Sequence, residues 1–341
     1  MAYAFPSVGV NTGGLRPGIL QRISLFRTGS ASKVAAELSP VVKVETRQGY
    51  YHYFAENDAL LQAGGAQVSN QVPQAVNYDT PAMPGGLRVT SAAYNSNLYR
   101  WGHQILTLKQ IEEFARRGED IQARYAEKLA VQGAQLHAAV VGAALNDTAN
   151  YGSNGAISGG GTAAALLQKG FNDFLLASAA DGCDIESGRW VAACNLATAN
   201  ILMQKNEVFQ MGYGIASNDS GSAQYRAGSS DMGQLNAFFK TKLIVPLELK
   251  IMPQYLPTIA TQTGSVVMTT GNVAIFKVAE AYGDSGFLQT MTPEPNAALG
   301  QLFSYSAYNP AGVGMYVESD FGVTVLGGTA NKWARLATGL S

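Results

Sequence analysis

Residues 107–145 decide the fold, and they read TLKQIEEFARRGEDIQARYAEKLAVQGAQLHAAVVGAAL. Apolar residues recur at steps of three and four, the period of one face of an α-helix, and only Gly118 and Gln132 interrupt the series. At about 1.5 Å per residue, one helix of this length would extend for about 55–60 Å. The segment therefore predicts a helical spine on which a sheet or a neighbouring chain lies. Its apolar stripe consists of Ile111, Phe114, Ile121, Tyr125, Leu129, Leu136 and Val140.

Two extended segments precede this helix. Residues 40–45 read PVVKVE, in which apolar and charged residues alternate as in a half-buried strand, and residues 49–54 read GYYHYF. Residues 56–86 contain paired glycines and three prolines but few large apolar side chains, so this stretch cannot bury itself. Strand patterns resume at Leu87, with a bulge or bend near Leu98 where the apolar phase shifts. We predict a long β-hairpin whose outer half has no core of its own.

The rest of the chain mixes short helices and strands without an internal repeat. Leu167, Phe171 and Leu175 mark the inward face of a second helix, and Asn195 is a good N-cap for a third that ends at about residue 209. Because no regular βαβ alternation occurs, the sequence predicts an α+β fold. Loops are expected at 151–161 and 210–233, and strands at 189–193, 243–252, 266–269, 273–279, 314–317 and 322–326.

Composition and charge favour a chain that packs against copies of itself. Of the 341 residues, 47% are hydrophobic and only 14% are charged, with a formal net charge of −1. Such a chain has little net charge to keep its copies apart. Four basic residues in a glycine- and proline-containing arm precede Glu37, the first acidic residue. This pattern suits a contact with nucleic acid or an acidic neighbour, or a solvated tail. The four residues are Arg16, Arg22, Arg27 and Lys33.

Cysteine use and hydropathy predict a protein that folds in a reducing compartment. Cys183 and Cys194 are the two cysteines of the chain, too few for a disulfide framework. The N-terminal residues lack the apolar core of a signal peptide. Residues 129–146, the least charged long stretch, include two glutamines and a histidine. We expect a cytosolic protein at synthesis, with no membrane partner.

The motifs of common active sites do not occur in the sequence. His52, His103 and His137 are far apart, and the cysteines form no C-x-x-C pair, so no metal site is predicted. A glycine-rich stretch at 155–161 lacks the G-K-[ST] ending of a phosphate loop. Neither a G-x-S-x-G elbow nor an H-E-x-x-H helix is present. We therefore predict no catalytic residue, no cofactor and no metal, and a protein that is not an enzyme.

The order of the parts resembles one family. A basic arm, the PVVKVE strand, the tyrosine-rich hairpin and the long helix at 107–145 are similar to those of the major capsid proteins of tailed bacteriophages, which share the Hong Kong 97-like fold. The resemblance covers nearly the whole chain and is architectural. It implies an N-terminal arm at 1–38, an extended loop at 46–104, a peripheral domain with the spine helix at 39–45, 105–149 and 299–341, and an axial domain at 150–298.

The same resemblance implies a function. The chain would self-assemble into hexamers and pentamers of an icosahedral shell that encloses double-stranded DNA, within the host cytoplasm, and would reside in the virion. A separate scaffolding protein, a portal and a decoration protein are the implied partners, and the four basic arm residues are the implied contacts with DNA or scaffold. Some relatives link subunits through a lysine of the extended loop. No lysine lies between Lys43 and Lys109, so we expect a shell held by noncovalent contacts.

The residues leave two alternatives open. An encapsulin-like compartment has the same fold but holds cargo enzymes in place of a genome, and nucleic acid inside native particles distinguishes the two. A soluble α+β enzyme or ligand-binding protein belongs to another class. It would be a monomer or small oligomer that its ligand stabilises against melting.

Overall fold

Two β-sheets and a long helix shared between them form the frame of the structure, a computed structural model. The residues that it describes are 30–54, 89–156, 166–205, 208, 232–252, 255–256, 265–266, 268–281, 284–293, 301–308, 310–328 and 330–340.

Helices and strands succeed one another irregularly along these residues, as in an α+β fold. The helices are α1 (Ser30–Leu38), α2 (Leu108–Arg116), α3 (Ile121–Asn146), α4 (Leu166–Ala180), α5 (Leu196–Met203) and α6 (Met232–Thr241). The strands are β1 (Val41–Lys43), β2 (Gln48–Phe54), β3 (Val89–Asn95), β4 (Asn97–Thr107), β5 (Tyr151–Ala156), β6 (Trp190–Asn195), β7 (Glu248–Met252), β8 (Tyr255–Leu256), β9 (Ser265–Val266), β10 (Val273–Lys277), β11 (Leu288–Thr292), β12 (Gln301–Tyr308), β13 (Ala311–Val325) and β14 (Asn331–Thr338).

The first sheet is built around β13, a strand of 15 residues. β13 pairs antiparallel with β4 and β12 along its first part and with β11 near its end, and β1 joins β11 in parallel. Met315 and Val317 of β13 are buried together with Leu106 of β4 and with Leu129 of α3. The strands predicted at 314–317 and 322–326 are therefore one continuous strand, with one face on α3.

The second sheet has the strand order β5-β14-β10-β6-β7 and is covered on both faces. In β10, Val273 and Ile275 belong to the cluster formed with α4, α5 and α6, whereas Ala274 and Phe276 belong to the cluster formed with α1 and α3. All four side chains are fully buried. The sheet is therefore the middle layer between two layers of helices.

Helix α3 joins the two sheets. Leu129, in its first half, packs on the first sheet, whereas Val141 and Leu145, near its end, pack with the second sheet. The helix has 26 residues and is therefore about 39 Å long. It is a spine on which a sheet lies, as predicted. Among the described residues, none of the helices combines the length and the hydropathy that a membrane span needs.

The spine is shorter than predicted because the chain breaks between α2 and α3. The N–H groups of Gly118 and Glu119 donate to carbonyls in the last turn of α2, and Gly118 has a φ of +76°. This is a Schellman C-cap, in which glycine adopts the left-handed conformation at little cost. Asp120 then caps α3 by accepting a hydrogen bond from the Ala123 N–H at 3.0 Å. The prediction of one continuous helix over 107–145 was therefore wrong.

The break also changes which side of the spine faces the core. Ile121, Tyr125, Leu136 and Val140, predicted to face inward, are only partly buried. Each turn after the break is rotated relative to a continuous helix, so the predicted stripe loses its phase. The stripe that the structure buries consists of Ala123, Ala126, Leu129, His137, Ala138, Val141 and Leu145.

Residues 30–38 form a helix where the sequence analysis expected part of an extended arm. Ala35 and Leu38 are fully buried against α3 and the second sheet. The segment SASKVAAEL carries few large apolar residues, and tertiary packing rather than sequence periodicity stabilises such a short helix. Residues 1–29 of the predicted arm lie outside the described residues.

The C-terminal segment is divided between the sheets. β12 and β13 lie in the first sheet, but β14 pairs with β10 and β5 in the second. Residues 299–341, which the resemblance grouped in one peripheral domain, therefore contribute to both sheets. Helix α6 was also missed, because it begins at Met232, inside the loop expected at 210–233, and the following strand begins only at Glu248.

The middle of the chain follows the prediction in part. α4 and β6 lie where the patterns placed them, but β5 occupies the first half of the loop expected at 151–161, and α5 ends at Met203, before the predicted end at about residue 209. Asn195 caps α5, since its side-chain oxygen accepts a hydrogen bond from the Thr198 N–H at 2.7 Å. The Asn195 amide also donates to the Met268 carbonyl at 2.7 Å, so the same residue ties the helix to the segment before β10.

Gly322 of β13 lies where the first sheet comes closest to the end of β3. A Cβ atom at this position would lie 1.8 Å from the Asn95 carbonyl oxygen. Because the obstacle is backbone, we expect Gly322→Ala to lower the free energy of unfolding by about 2–3 kcal/mol. Gly155→Ala is the control, since a Cβ there meets nothing within 4 Å. Urea unfolding measures both variants, and equal midpoints would contradict the close approach.

Candidate assembly surfaces

The β2–β3 hairpin lies on the frame by one face only. Tyr51 and Tyr94 point inward and are 1% and 8% exposed. Tyr50 points outward and is 68% exposed, opposite Ala93 on the neighbouring strand. His52, next on the same face, is also exposed. The period of two along the strands thus separates an anchored face from a face that presents a large aromatic side chain to solvent.

Two tyrosines hold the inner face of the hairpin on the frame. The Tyr51 hydroxyl donates to the Val325 carbonyl at 3.3 Å and accepts from the Gly327 N–H at 2.7 Å. The Tyr94 ring crosses the backbone of Gly49, where a Cβ would lie 2.7 Å from the ring hydroxyl. Glycine at the start of the GYYHYF segment therefore provides the space that the Tyr94 ring occupies.

Asp320 of β13 holds the base of both hairpin strands. Its carboxylate accepts hydrogen bonds from Nε of Arg47 at 2.7 Å and from the Ser96 hydroxyl at 2.5 Å. The Ser96 N–H donates to the Arg47 carbonyl at 2.7 Å. Asp320 and Ser96 are only 6% and 5% exposed, so water competes little for the hydrogen bond between them. The Arg47 side chain is 56% exposed, and its bond to Asp320 is more open to water. We call these three residues the hairpin root.

The hairpin root is also the point at which the chain changes sheets. β3 ends at Asn95 and β4 begins at Asn97, so the bend predicted near Leu98 lies two residues earlier. Residues 97–104, which the sequence analysis assigned to the extended loop, pair with β13 in the first sheet. Residues 55–88 of the predicted loop lie outside the described residues.

A second surface with aromatic side chains lies on the face of the first sheet that points away from α3. The rings of His103 and Tyr305 stack with centroids 5.8 Å apart. Nε2 of His103 lies 2.5 Å from the hydroxyl oxygen of Tyr305. Phe303 stacks on Tyr316 at 5.2 Å. The Tyr305 ring lies over Gly314, where a Cβ would be 2.2 Å from it. Strands β4, β12 and β13 each contribute to this surface, so strand pairing alone assembles it.

The first helix is attached to the edge of the second sheet by ion pairs. Lys250 of β7 lies 2.6 Å from the Glu37 carboxylate and 3.3 Å from that of Glu248. Arg189 donates to the Glu37 carbonyl at 2.6 Å. The hydrogen bond from Lys250 holds the pKa of Glu37 below its ordinary value, and the charge of Lys33 contributes in the same direction. The end of α1 is thus fixed on the sheet by charges of both signs.

Of the four basic residues predicted to contact DNA or scaffold, the structure describes one. Lys33 is exposed on α1, one turn before Glu37. Arg16, Arg22 and Arg27 lie outside the described residues. The structure therefore does not show the four brought together, and their contact with DNA or scaffold stays a prediction.

The described histidines and cysteines are not gathered into a site. His137 is fully buried, and burial lowers its pKa to about 4. Burial raises the pKa of the Cys194 thiol to about 12, so this thiol is protonated and unreactive at neutral pH. Within the described ranges, no group of three or more histidine, cysteine, aspartate or glutamate side chains could hold a metal ion.

One lysine and two serines meet at the end of β10. Nζ of Lys277 lies 3.3 Å from the hydroxyl oxygens of Ser187 and Ser285 and 4.2 Å from the centroid of the Trp333 ring. The three ammonium protons thus have three partners, namely the two hydroxyl groups and the face of the Trp333 ring. The lysine side chain passes close over Gly188, which has a φ of +77°. This arrangement holds a turn against the sheet and has the geometry of a structural contact.

The described geometry can be compared with solved structures, although no protein-family model and no curated protein sequence matches the chain. A phage-related protein from Bordetella bronchiseptica RB50 aligns at 14% identity with a TM-score of 0.61, covering 95% of this chain and 97% of its own. The capsid of a native GTA particle aligns at 13% identity with a TM-score of 0.53, and the alignment covers 100% of this chain and 96% of the GTA chain. The capsid of Myoviridae phage XM1 aligns at 11% identity with a TM-score of 0.50, covering 88% and 90%. The chain has the fold of a phage capsid subunit.

The capsid fold confirms the α+β architecture that the order of the parts predicted, and the resemblance to the capsid proteins of tailed phages. Sequence reasoning missed the hairpin root, because Asp320 carries no local signal that connects it to Arg47 or Ser96. It also missed the aromatic surface of the first sheet. The alternation of Phe303 and Tyr305 with small residues was the one signal available for it.

Asp320→Ala removes the acceptor that Arg47 and Ser96 share in the hairpin root. We expect the free energy of unfolding to fall by about 2–3 kcal/mol, because the buried Ser96 hydroxyl loses its acceptor and the more exposed Arg47 loses a charge-assisted hydrogen bond. Glu318→Ala is the matched control on the same strand. Its ion pair with Arg100 is more exposed, so its loss should cost no more than about 1 kcal/mol. Chemical unfolding of both variants measures these changes. Equal losses of unfolding free energy in the two variants would show that the hairpin root contributes no more than an exposed ion pair.

Proposed function

We propose that this chain is the structural subunit, the major capsid protein, of a tailed-phage-type shell. The observation that carries the proposal is the likeness to the capsid of the native GTA particle, which extends over 100% of this chain. A frame with an exposed hairpin surface suits a subunit that interlocks with its neighbours. In this proposal the chain has a structural role and no enzymatic one.

The outer face of the hairpin is the proposed contact with a neighbouring subunit. A two-stranded hairpin is marginally stable by itself, and here only its inner face is buried on the frame. Tyr50 offers a large, rigid and amphipathic side chain of the kind that dominates binding energy at interfaces. Burial of this face by a neighbour would stabilise the hairpin and the shell together.

The assembly proposed is an icosahedral shell of hexamers and pentamers around double-stranded DNA. The DNA would be held by non-specific contacts with phosphates, to which the basic residues of the arm contribute. A separate scaffolding protein, a portal and a decoration protein are the proposed partners. The shell would form in the host cytoplasm and remain in the virion.

The proposed division of the subunit follows the resemblance. Residues 39–45, 105–149 and 299–341 would form a peripheral domain around the spine, and residues 150–298 an axial domain. The arm at 1–38 and the loop at 46–104 would extend from it. The helical α1 and the place of β14 in the second sheet modify this plan, since both bind the proposed domains to each other.

Electron microscopy of the purified protein tests the proposal, with Tyr50→Ala as the informative variant. Wild-type protein, expressed with and without its neighbouring genes, should form closed shells or hexameric and pentameric rings. Tyr50→Ala should assemble at least about tenfold less well, a loss of about 1.4 kcal/mol per contact, with unchanged subunit stability. Tyr308→Ala is the control, because Tyr308 is 93% exposed but lies on the β12–β13 hairpin.

The opposite pattern, in which Tyr308→Ala loses shells and Tyr50→Ala keeps them, would refute the proposed contact. A uniform small particle from wild-type protein under every condition would refute the capsid function itself. Native shells that hold a protein cargo and no nucleic acid would support the encapsulin-like alternative.

Neutralising the arm tests its contact with DNA. The triple variant Arg16→Gln, Arg22→Gln and Arg27→Gln should form shells that retain less nucleic acid after washing at roughly 0.2 M salt, or should form fewer shells. Neutralising three exposed basic residues of α2 and α3 serves as a charge-matched control. Normal shells with full nucleic acid content from the arm variant would count against the contact. The control residues are Lys109, Arg116 and Lys128.

A further inference from the structure

A buried polar cluster lies where four parts of the chain meet. His137 comes from the second half of α3, Thr290 from β11 and Phe321 from β13, and Ser39 directly follows α1. Oγ1 of Thr290 lies 2.9 Å from Nε2 of His137 and also 2.9 Å from Oγ of Ser39. The rings of His137 and Phe321 meet edge to face with centroids 5.2 Å apart. All four residues are fully buried.

The hydrogen bonds determine the protonation state of this histidine. We assign the Thr290 hydroxyl as donor to the Ser39 carbonyl at 3.1 Å, because the opposite assignment would put an N–H group on the buried and unpartnered Nδ1 of His137. The Thr290 oxygen then accepts from Nε2 of His137. The imidazole therefore carries its proton on Nε2 and is neutral. Nδ1 is buried and has no hydrogen-bond partner among the described residues. A second proton on Nδ1 would form an N–H group without an acceptor in an apolar place.

Within the part of the chain that the structure describes, no ionised side chain compensates the charge that a second proton would bring. Of the charged residues on the packed elements, Glu37 of α1 pairs with Lys250, and Asp320 of β13 belongs to the hairpin root. Glu318 of β13 pairs with Arg100. β11 has no titratable residue, and Lys43 of β1 is exposed. Burial is thus what lowers the pKa of His137 to about 4.

We propose that the neutral His137 is an acid-sensitive contact that holds α1 and the second half of α3 on β11 of the first sheet. A second proton would leave the Nε2–H bond to Thr290 in place but would create an N–H group without an acceptor at the buried Nδ1. The imidazolium can be hydrated only if these elements separate. The end of α1 at Ser39 is attached through the same Thr290 hydroxyl, so it should be released first. This inference concerns the subunit and does not depend on shell formation.

The direction of the pH effect follows from the two states. In the unfolded chain the histidine has its ordinary pKa of 6.5, and in the folded chain a pKa of about 4. Protons therefore favour the open or unfolded state, and the stabilising contribution is complete above pH 6.5 and is lost as the pH falls toward 4. The equilibrium constant for opening should rise by roughly 80-fold between pH 6.5 and pH 4.

The first test follows the histidines directly in the wild-type chain. The protein has three histidines, so selective ¹⁵N labelling gives a small set of ring signals in a full-length subunit. The His137 signals should report the Nε2–H tautomer and should stay those of a neutral ring as the pH is lowered from 7 to 5. Loss of the native signals should accompany protonation of His137. Titration of His137 near pH 6.5 with the native spectrum intact would overturn the proposal.

The second test uses variants and locates the opening. His137→Gln keeps a donor toward Thr290 but cannot be protonated, so its stability should vary far less between pH 6.5 and 5 than that of the wild type. His103→Gln is the matched control and should keep the wild-type dependence. Hydrogen exchange at pH 5 should accelerate first in 30–39 of the wild type and not of His137→Gln. Equal pH dependence in all three proteins would overturn the proposal, and the labelling titration decides if His137→Gln does not fold.

Discussion

Helix α3 is buried by both sheets, and the rest of the subunit takes its position from that double contact. Its first half packs on β13 through Leu129, and its second half packs on the second sheet through Val141 and Leu145. Alanines make up much of the buried stripe, which lets the sheets approach the helix backbone closely. α1 then closes the frame, since it packs on α3 and is tied to β7 through Lys250.

The hairpin departs from this frame at a single charged residue. Asp320 is buried, and the residues next to the bases of the two hairpin strands, Arg47 before β2 and Ser96 after β3, each donate a hydrogen bond to it. The base of the hairpin is thus held by directional bonds, while its outer face, with Tyr50, is left to solvent. With only 14% of its residues charged, the chain has little repulsion to keep copies apart, so a surface of this kind favours association.

Local signals in the sequence predicted local structure well, and failed where distant residues decide. Asn195 was recognised as a cap because its partner lies three residues away. The break between α2 and α3 also had a local signal in the sequence, a helix-ending glycine (Gly118) two residues before a good N-cap residue (Asp120). The strong apolar period on both sides concealed this signal. In the hairpin root, Asp320 lies 224 residues from Ser96 and 273 residues from Arg47 along the chain. Likewise, β14 pairs with β10, a strand from the middle of the chain. No periodicity can report such pairings.

In the proposed shell, a neighbouring subunit buries the hairpin face that the frame leaves exposed. Hydrogen–deuterium exchange of free subunits and of assembled shells, read on peptides from β2 and β3, measures this directly. We expect amides of both strands to exchange more slowly in the shell, while the already buried strands of the second sheet change little. Equal exchange of the hairpin in intact shells and in free subunits would contradict it.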